Sequence, residues 1–277
     1  MKRWLIARRT VQILVWVVFC TPLVVAGFSL LGLTPGVEDA VQTPAQGIFF
    51  GSLSASQILN FDILDPFATL QTMVASRSFD LAWLWGLLPV LLVYVIIGSR
   101  AFCGWICPVN LLLEFVDWLR KKLQIPNAGR RLPRRTKIAV MVLFLLLALI
   151  CAQPLFENIS PIAALGKTLL YGSMAGLGTL VGIIVLELFW APRIWCRSLC
   201  PLGGFYELFG RVGIFRVRIK HDACTHCGKC ETACIAAPEI LKPALAGSTK
   251  RVCAGDCLRC GACIDACPTH ALSMRPF

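Results

Sequence analysis

The sequence contains little charge and very little histidine. Charged residues make up 15% of the 277 residues and hydrophobic residues 57%, whereas about 25% charge is usual in soluble domains. This balance argues against an ordinary soluble enzyme and against a disordered chain. The histidines are His221, His226 and His270, so none lies in the apolar part of the chain. Because bis-histidine haem needs histidines on the apolar helices and c-type haem needs a C-x-x-C-H motif, we expect no haem.

The apolar residues are concentrated in four runs, at 11–33, 81–98, 138–156 and 172–190. A helix of about 20 apolar residues is long enough to cross a membrane, where a helix also satisfies its own backbone hydrogen bonds. We therefore predict an α-helical membrane protein with four transmembrane helices. The alternative, buried helices of a large soluble core, is disfavoured because a chain of this size has little room to bury four such runs.

The positive charges are concentrated in three segments that flank these runs. Residues 1–10, 99–137 and 191–277 hold 25 of the 27 lysines and arginines. By the positive-inside rule, this distribution predicts a multi-pass protein of the bacterial inner membrane with cytoplasmic N- and C-termini. The formal net charge of +12 then reflects topology, and we expect no nucleic-acid partner.

One cysteine motif occurs twice, as R-x-x-C-x-x-x-C-P with a glutamate seven residues after the second cysteine. The copies cover 100–114 and 193–207, each after a pair of apolar runs, which indicates a tandem duplication. Cysteines four residues apart lie on one face of a helix, and a neighbouring arginine favours the thiolate. We therefore predict a redox site that is either two dithiol pairs or one four-thiolate metal site. Its candidate catalytic residues are Cys103, Cys107, Cys196 and Cys200.

The last part of the chain contains C-x2-C-x2-C-x3-C twice, at 224–234 and 257–267. This run binds two [4Fe–4S] clusters in bacterial ferredoxins, with the fourth cysteine of each run ligating the other cluster. We therefore predict two clusters in a small α+β ferredoxin domain. The cofactor-binding, metal-ligating residues are Cys224, Cys227, Cys230 and Cys267 for cluster 1 and Cys257, Cys260, Cys263 and Cys234 for cluster 2.

Zinc is the alternative occupant of paired cysteines, but it prefers two well-separated pairs to three cysteines at intervals of three. Cys253 has no place in either motif. The motifs predict two domains: residues 1–220 as a four-helix membrane domain with both CxxxCP motifs, and residues 221–277 as the cytoplasmic ferredoxin domain.

Paired CxxxCP motifs before a two-cluster ferredoxin domain, together with the stretch DILDPFATLQ at 62–71, resemble the NapH family. Members of that family are ferredoxin-type membrane subunits of the quinol dehydrogenase that serves periplasmic nitrate reductase. The resemblance implies quinol as substrate and electron flow toward a periplasmic ferredoxin of the NapG type. Electrons would continue to nitrate reductase directly or through a tetrahaem cytochrome. NosR-type regulators, methylamine-oxidation ferredoxins and copper-reducing assembly proteins share the cysteine motifs.

The sequence is therefore compatible with three functions. The first is the electron-transfer subunit of a quinol dehydrogenase complex. The second is an assembly factor that reduces metal or cysteine sites of a partner enzyme. The third is a redox sensor whose clusters report oxygen or electron supply.

Overall fold

The computed structural model describes residues 3–30, 49–51, 55–58, 61–79, 81–98, 100–126, 129, 132–165 and 176–276. The chain divides into two compact units. One contains Met1–Gln12, Leu91–Leu143 and Ile183–Phe277, and the other contains Ile13–Val90 and Phe144–Gly182. All the cysteines predicted to be functional belong to the first unit.

The helices repeat in the order that the duplicated motif predicts. The first copy comprises α1 (Arg3–Leu30), a small sheet of β1 (Phe49–Gly51), β2 (Ala55–Ile58) and β3 (Phe61–Leu64), then α2 (Pro66–Ser76), α3 (Leu81–Ile97), α4 (Ala101–Trp105) and α5 (Pro108–Lys122). The second copy comprises α6 (Thr136–Cys151), α7 (Leu155–Ile159), α8 (Leu177–Phe189), a π-helical turn (Trp195–Leu199) and α9 (Pro201–Gly210). In both copies a helix is followed by a cysteine-bearing turn and by a helix that begins with proline.

The prediction of transmembrane helices is wrong. Among the described residues, no helix has both the length and the apolar character needed to cross a membrane. Three of the four apolar runs form helices of only 17, 16 and 13 residues, α3, α6 and α8, whereas crossing takes about 20. The fourth, α1, has 28 residues but begins in a segment that carries Arg3, Arg8 and Arg9. The predicted multi-pass inner-membrane localisation, with its cytoplasmic termini, is contradicted by the same finding.

Two of these helices end next to a residue with a left-handed backbone. Helix α3 ends before Gly98, whose φ is +118°, and α6 ends before Ala152, whose φ is +54°. Hydropathy counts apolar residues, but such left-handed residues interrupt the ladder of backbone hydrogen bonds.

The second unit contains the segment that carries the family resemblance. The Asp65 carboxylate caps α2 by accepting a hydrogen bond of 2.9 Å from the backbone N–H of Phe67, and Pro66 occupies the first helical position. Burial raises the pKa of Asp65 to about 7. Phe67 is fully buried and packs edge-on against Phe156. Asp65 therefore has a structural role as a helix cap.

The C-terminal part of the first unit is a small α+β fold. Strands β4 (Arg216–Ile219) and β5 (Leu272–Arg275) pair antiparallel, and three one-turn helices follow the chain between them. These are α10 (Lys229–Thr232), α11 (Lys242–Leu245) and α12 (Ala262–Asp265). Val217, Ile219 and Leu272 point into the core from the strands and are at most 5% exposed. The same core contains Cys230 and Cys263.

Candidate iron–sulfur and thiol sites

The first cysteine pocket is lined by cysteines from both cysteine runs of the small α+β fold. Its lining includes the four cysteines assigned to cluster 1, which are Cys224, Cys227, Cys230 and Cys267. Leu245 and Leu272 form apolar walls of this pocket. The fourth sulfur thus comes from the second cysteine run, as the spacing predicts.

The second cysteine pocket has the reciprocal composition. Its lining includes Cys257, Cys260 and Cys263 of the second run together with Cys234 of the first. Val217, Ile240 and Leu241 form its apolar walls. Four sulfurs around an apolar space fit the thiolate ligation of a [4Fe–4S] cube. The residues present therefore fit the clusters, although the assignment of each ligand stays a prediction.

Both pockets are built on glycine turns. Gly228 and Gly261 follow the second cysteine of each run and have φ values of +71° and +72°. Each glycine immediately precedes a one-turn helix, α10 or α12, which carries the third cysteine. The left-handed glycine turns the chain so that three cysteines of one run face one space.

No single-ion site accompanies these pockets. Throughout the described ranges, no three His, Cys, Asp or Glu side chains converge so that they could hold one metal ion.

The two pockets differ in their electrostatics. In the first, hydrogen bonding from the backbone N–H of Lys229 lowers the pKa of Cys227. For Cys267, burial alone would raise the pKa, but hydrogen bonds from Thr269 and its neighbours outweigh burial and lower it. In the second pocket, burial raises the pKa of Cys234 to about 12 and that of Cys263 well above its usual value.

The CxxxCP motifs do not form continuous helices. Helix α4 carries Cys103 and ends at Trp105, and Cys107 is the residue that precedes Pro108 at the start of α5. In the second copy, Cys196 lies in the π-helical turn and Cys200 precedes α9. The sulfur of Cys200 accepts a hydrogen bond of 3.4 Å from the backbone N–H of Gly203. The proline explains the break, because it suits a first helical position and has no N–H to donate.

The arginines of the two motifs reach across from one copy to the other. Arg193 of the second copy donates to the side-chain oxygen of Asn110 at 2.6 Å and lies 3.7 Å from the Glu114 carboxylate of the first copy. Arg100 of the first copy donates to the backbone carbonyl of Cys196 at 2.8 Å. These reciprocal contacts hold the two cysteine turns together.

The four CxxxCP sulfurs interact electrostatically across the repeat. Burial, followed by the charge of Cys103, raises the pKa of Cys107 beyond its usual range and that of Cys200 to about 12. Burial also raises the pKa of Cys196, and Cys200 and Cys107 contribute. The structure thus brings the predicted redox thiols into one neighbourhood, while the choice between dithiols and a metal site stays open.

A buried charge network joins this neighbourhood to the second cysteine pocket. Asp256, the residue before Cys257, is 2% exposed and accepts from Arg100 at 2.7 Å. Asp256 also pairs with Lys137, which in turn lies 3.0 Å from Glu207. Burial alone would raise the pKa of Asp256, but the charges of Arg100 and Lys137 outweigh it and lower the pKa.

Sequence reasoning identified Arg100, Glu114 and Glu207 as repeat positions but missed Asp256 and Lys137. Arg8 plays the part of Lys137 in the first copy, because its guanidinium lies 2.6 Å from Glu114. The one signal in the sequence was that a glutamate stands at the same position in both copies of the repeat. This spacing indicates that each glutamate needs a positively charged side chain as its partner. Nothing in the sequence indicated which cation would reach them.

The start of α1 covers the second cysteine run. The carboxylate of Asp265 accepts the backbone N–H of Trp4 at 3.3 Å and of Leu5 at 2.9 Å, and so caps the first turn of α1. The indole N–H of Trp105 donates to the carbonyl of Arg259 at 3.1 Å. A Cβ on Gly261 would overlap the Trp4 ring.

Two family models match the regions described above. A model described as a 4Fe-4S binding domain matches residues 79–126 and 173–220, which are the two CxxxCP segments. A 4Fe-4S dicluster domain matches residues 216–269. The chain therefore carries iron–sulfur binding domains.

Similar proteins extend over most of the chain. The methylamine utilization ferredoxin-type protein MauN of Methylorubrum extorquens is 33% identical over 236 residues, which cover 83% of this chain and 82% of the relative. The ferredoxin-type protein NapH of Haemophilus influenzae is 33% identical and covers 79% of this chain and 78% of the relative. NapH of Escherichia coli is 27% identical over 96% of this chain and 86% of the relative. No solved structure matches the chain. The length and identity of these matches, together with the cysteine pockets, show that the chain belongs to the family of ferredoxin-type electron-transfer proteins that includes NapH and MauN.

Proposed function

We propose that this protein is the electron-transfer subunit of a quinol dehydrogenase. It would pass electrons from quinol toward a NapG-type ferredoxin partner and on to nitrate reductase, directly or through a tetrahaem cytochrome. The observation that carries the proposal is the exchange of Cys234 and Cys267 between the two pockets. This exchange makes the pockets neighbours, as two sites in an electron-transfer path must be.

When bound, the clusters would supply one-electron carriers, and the chain's own residues hold and insulate them. The eight pocket cysteines provide the thiolates. Trp4 and Trp105 lie against the second run. Arg100 joins the second pocket to the CxxxCP thiols through Asp256 and the Cys196 carbonyl. The CxxxCP thiols would then be a third redox site, next to the second pocket.

A second candidate is electron transfer in methylamine utilization. It is supported by the MauN relative of Methylorubrum extorquens, whose identity to this chain equals that of NapH from Haemophilus influenzae. The two candidates share the electron-transfer chemistry and differ in the terminal enzyme. Growth of a deletion strain on methylamine, compared with its nitrate-dependent growth, separates them.

The test of the proposal uses the CxxxCP thiols. In anaerobically purified protein, Cys103→Ser and Cys200→Ser should abolish electron delivery from a short-chain quinol to an added acceptor. Iron should remain at about eight per chain, four for each cluster, because neither residue lines a cluster pocket. Serine is close to cysteine in size, so a purely structural thiol would tolerate the change at modest cost.

The matched control is Cys151→Ser, which changes an exposed cysteine outside every motif and should keep the full rate. Normal electron delivery by the Cys103→Ser and Cys200→Ser proteins would show that the motif only ends helices. A protein whose clusters are reduced by dithionite but never by quinol would contradict the quinol dehydrogenase role itself.

A further inference from the structure

The outer face of the small sheet carries positive charge without a compensating acid. Along β4 the residues alternate, with Val217 and Ile219 buried and the intervening Arg218 on the opposite face. A groove of about 590 Å³ of water-accessible space runs along this face. Five of its lining residues are cations, namely Arg218, Lys220, Lys250, Arg251 and Arg275. The remaining lining residues include no carboxylate.

Like charges are paired directly across the strands. Arg218 forms a β-bridge with Arg251, and Arg216 lies opposite Arg275 in the β4–β5 ladder. Like charges directly opposite each other destabilise a sheet. In the described part of the chain none of these arginines forms an ion pair with an acidic group. The Nε atom of Arg218 is buried without a hydrogen-bond partner. The fold thus carries an electrostatic cost that an external anion would relieve.

The same strands form walls of both cysteine pockets on their inner side. Val217 of β4 lines the second pocket, and Leu272 of β5 lines the first. A partner on the outer face would therefore be separated from the clusters by the thickness of one sheet. This proximity favours an electron-transfer partner over a ligand that serves only to neutralise charge.

We propose that this basic groove, defined by its five cations, is the docking site for an acidic electron-transfer protein. The proposal rests on the electron-transfer function proposed above and names the kind of partner for the same clusters. In the exchange, a reduced cluster of this chain would give up one electron and so become oxidised. The partner's redox centre accepts that electron and is reduced by one.

The test uses oxidised flavodoxin as an acidic probe and the full-length protein with its clusters. Binding is measured by calorimetry with the oxidised protein, so that this readout does not depend on turnover. Electron transfer is measured separately by stopped flow, where the flavin takes one electron and a solvent proton to form its semiquinone. Both are measured at about 0.01 M and about 0.5 M salt, on either side of strong screening.

At low salt, the double variant Arg218→Gln/Arg251→Gln should weaken binding and slow electron transfer by roughly tenfold each. At high salt it should differ little from the wild type. The matched control, Lys122→Gln/Lys242→Gln, removes two exposed charges outside the groove and should leave both measurements unchanged. Iron content should be equal in all three proteins, and the melting temperature of the groove variant should not fall, since it loses a like-charge pair.

Equal effects of the groove and control variants would overturn the proposal, because they would show a response to net charge alone. Groove-dependent binding to phosphatidylglycerol vesicles without groove-dependent binding to flavodoxin would also overturn it, in favour of an anionic surface. A small viologen acceptor separates the two proposals. The docking proposal fails, and the electron-transfer function stands, if the viologen is reduced at the normal rate while flavodoxin binding and reduction do not depend on the groove residues.

Discussion

The two cysteine runs have the same spacing, yet they lie in different surroundings. In the first, His226 and Cys227 are exposed, and a Cβ on Gly228 would meet nothing within 4 Å. In the second, Arg259 takes the place of His226 and is 4% exposed, with its guanidinium bound to the Gly210 carbonyl at 3.1 Å. One run therefore faces outward and the other is enclosed by the rest of its unit.

The enclosure of the second run depends on residues far away in the sequence. Asp265 caps α1, whereas the equivalent residue of the first run, Thr232, is exposed. Asp256 binds the charge network that reaches the CxxxCP motifs. The comparison shows that equal ligand spacing sets the cluster type, while the covering residues decide which cluster a partner or solvent reaches first. The first pocket would be the outer site and the second the inner one.

The largest expected effect follows from removing one ligand of each run. Cys227→Ala and Cys260→Ala should each lower the iron content from about eight to about four. A small external thiol should restore the cluster in the Cys227→Ala protein, because that position is exposed, and should not restore it in the Cys260→Ala protein. Iron analysis and EPR during thiol titration measure this difference. Equal rescue of both variants would break the distinction between outer and inner pockets.

The next effect concerns the acids that precede each run. Asp256→Ala leaves Arg100 buried without its carboxylate and leaves Lys137 with Glu207 alone, and we expect a loss of about 3–5 kcal/mol in the free energy of unfolding. Asp222→Ala, at an exposed residue two positions before Cys224, should cost less than about 0.5 kcal/mol. Anaerobic denaturant unfolding followed by circular dichroism compares the two. A similar loss of unfolding free energy in both variants would mean that the charge network adds little to the stability of the region around the second pocket.

The glycine turns give a smaller, graded contrast. Gly228→Ala should cost about 1–2 kcal/mol, the strain of a left-handed non-glycine residue in open space. Gly261→Ala carries the same strain and also forces the Trp4 ring aside, which adds about 1–3 kcal/mol of overpacking. The double variant Gly261→Ala/Trp4→Ala should lose the overpacking part. If Trp4→Ala gives no relief, Trp4 does not cover the second turn.

The smallest effect is on the rate of iron loss to a chelator. In the wild type, about half of the iron should be removed roughly tenfold faster than the rest, since exchange follows local opening. Trp4→Ala should accelerate only the slow half. The rates come from the absorbance of the iron–chelator complex, with Trp118→Ala as control, since Trp118 stacks on Phe115 and lines neither cysteine pocket. A single rate in the wild type would contradict the difference in exposure.

Local spacing predicts which cysteines share a cluster, because a cluster needs thiolates at separations that one tight loop provides, and their role as ligands stays a prediction. The exchange of Cys234 and Cys267 between the pockets follows from that rule, and the structure shows the same grouping. Spacing predicted the CxxxCP geometry less well. Cys103 and Cys107 were expected on one helix face, but α4 ends between them. The proline of the motif indicates a helix break, which the argument from i, i+4 spacing did not take into account.

The sequence by itself determined the duplicated motifs, the cysteine sets and the family, because these depend on residue type and on intervals of a few residues. Tertiary structure decided the rest. It ended α6 before a left-handed Ala152, short of the end of its apolar run, and it chose Asp256 and Lys137 as partners for the repeat. It also covered one cysteine run with Trp4 and left the other open. Such outcomes depend on contacts between segments up to 261 residues apart, and local composition does not encode which distant side chain fills a given space.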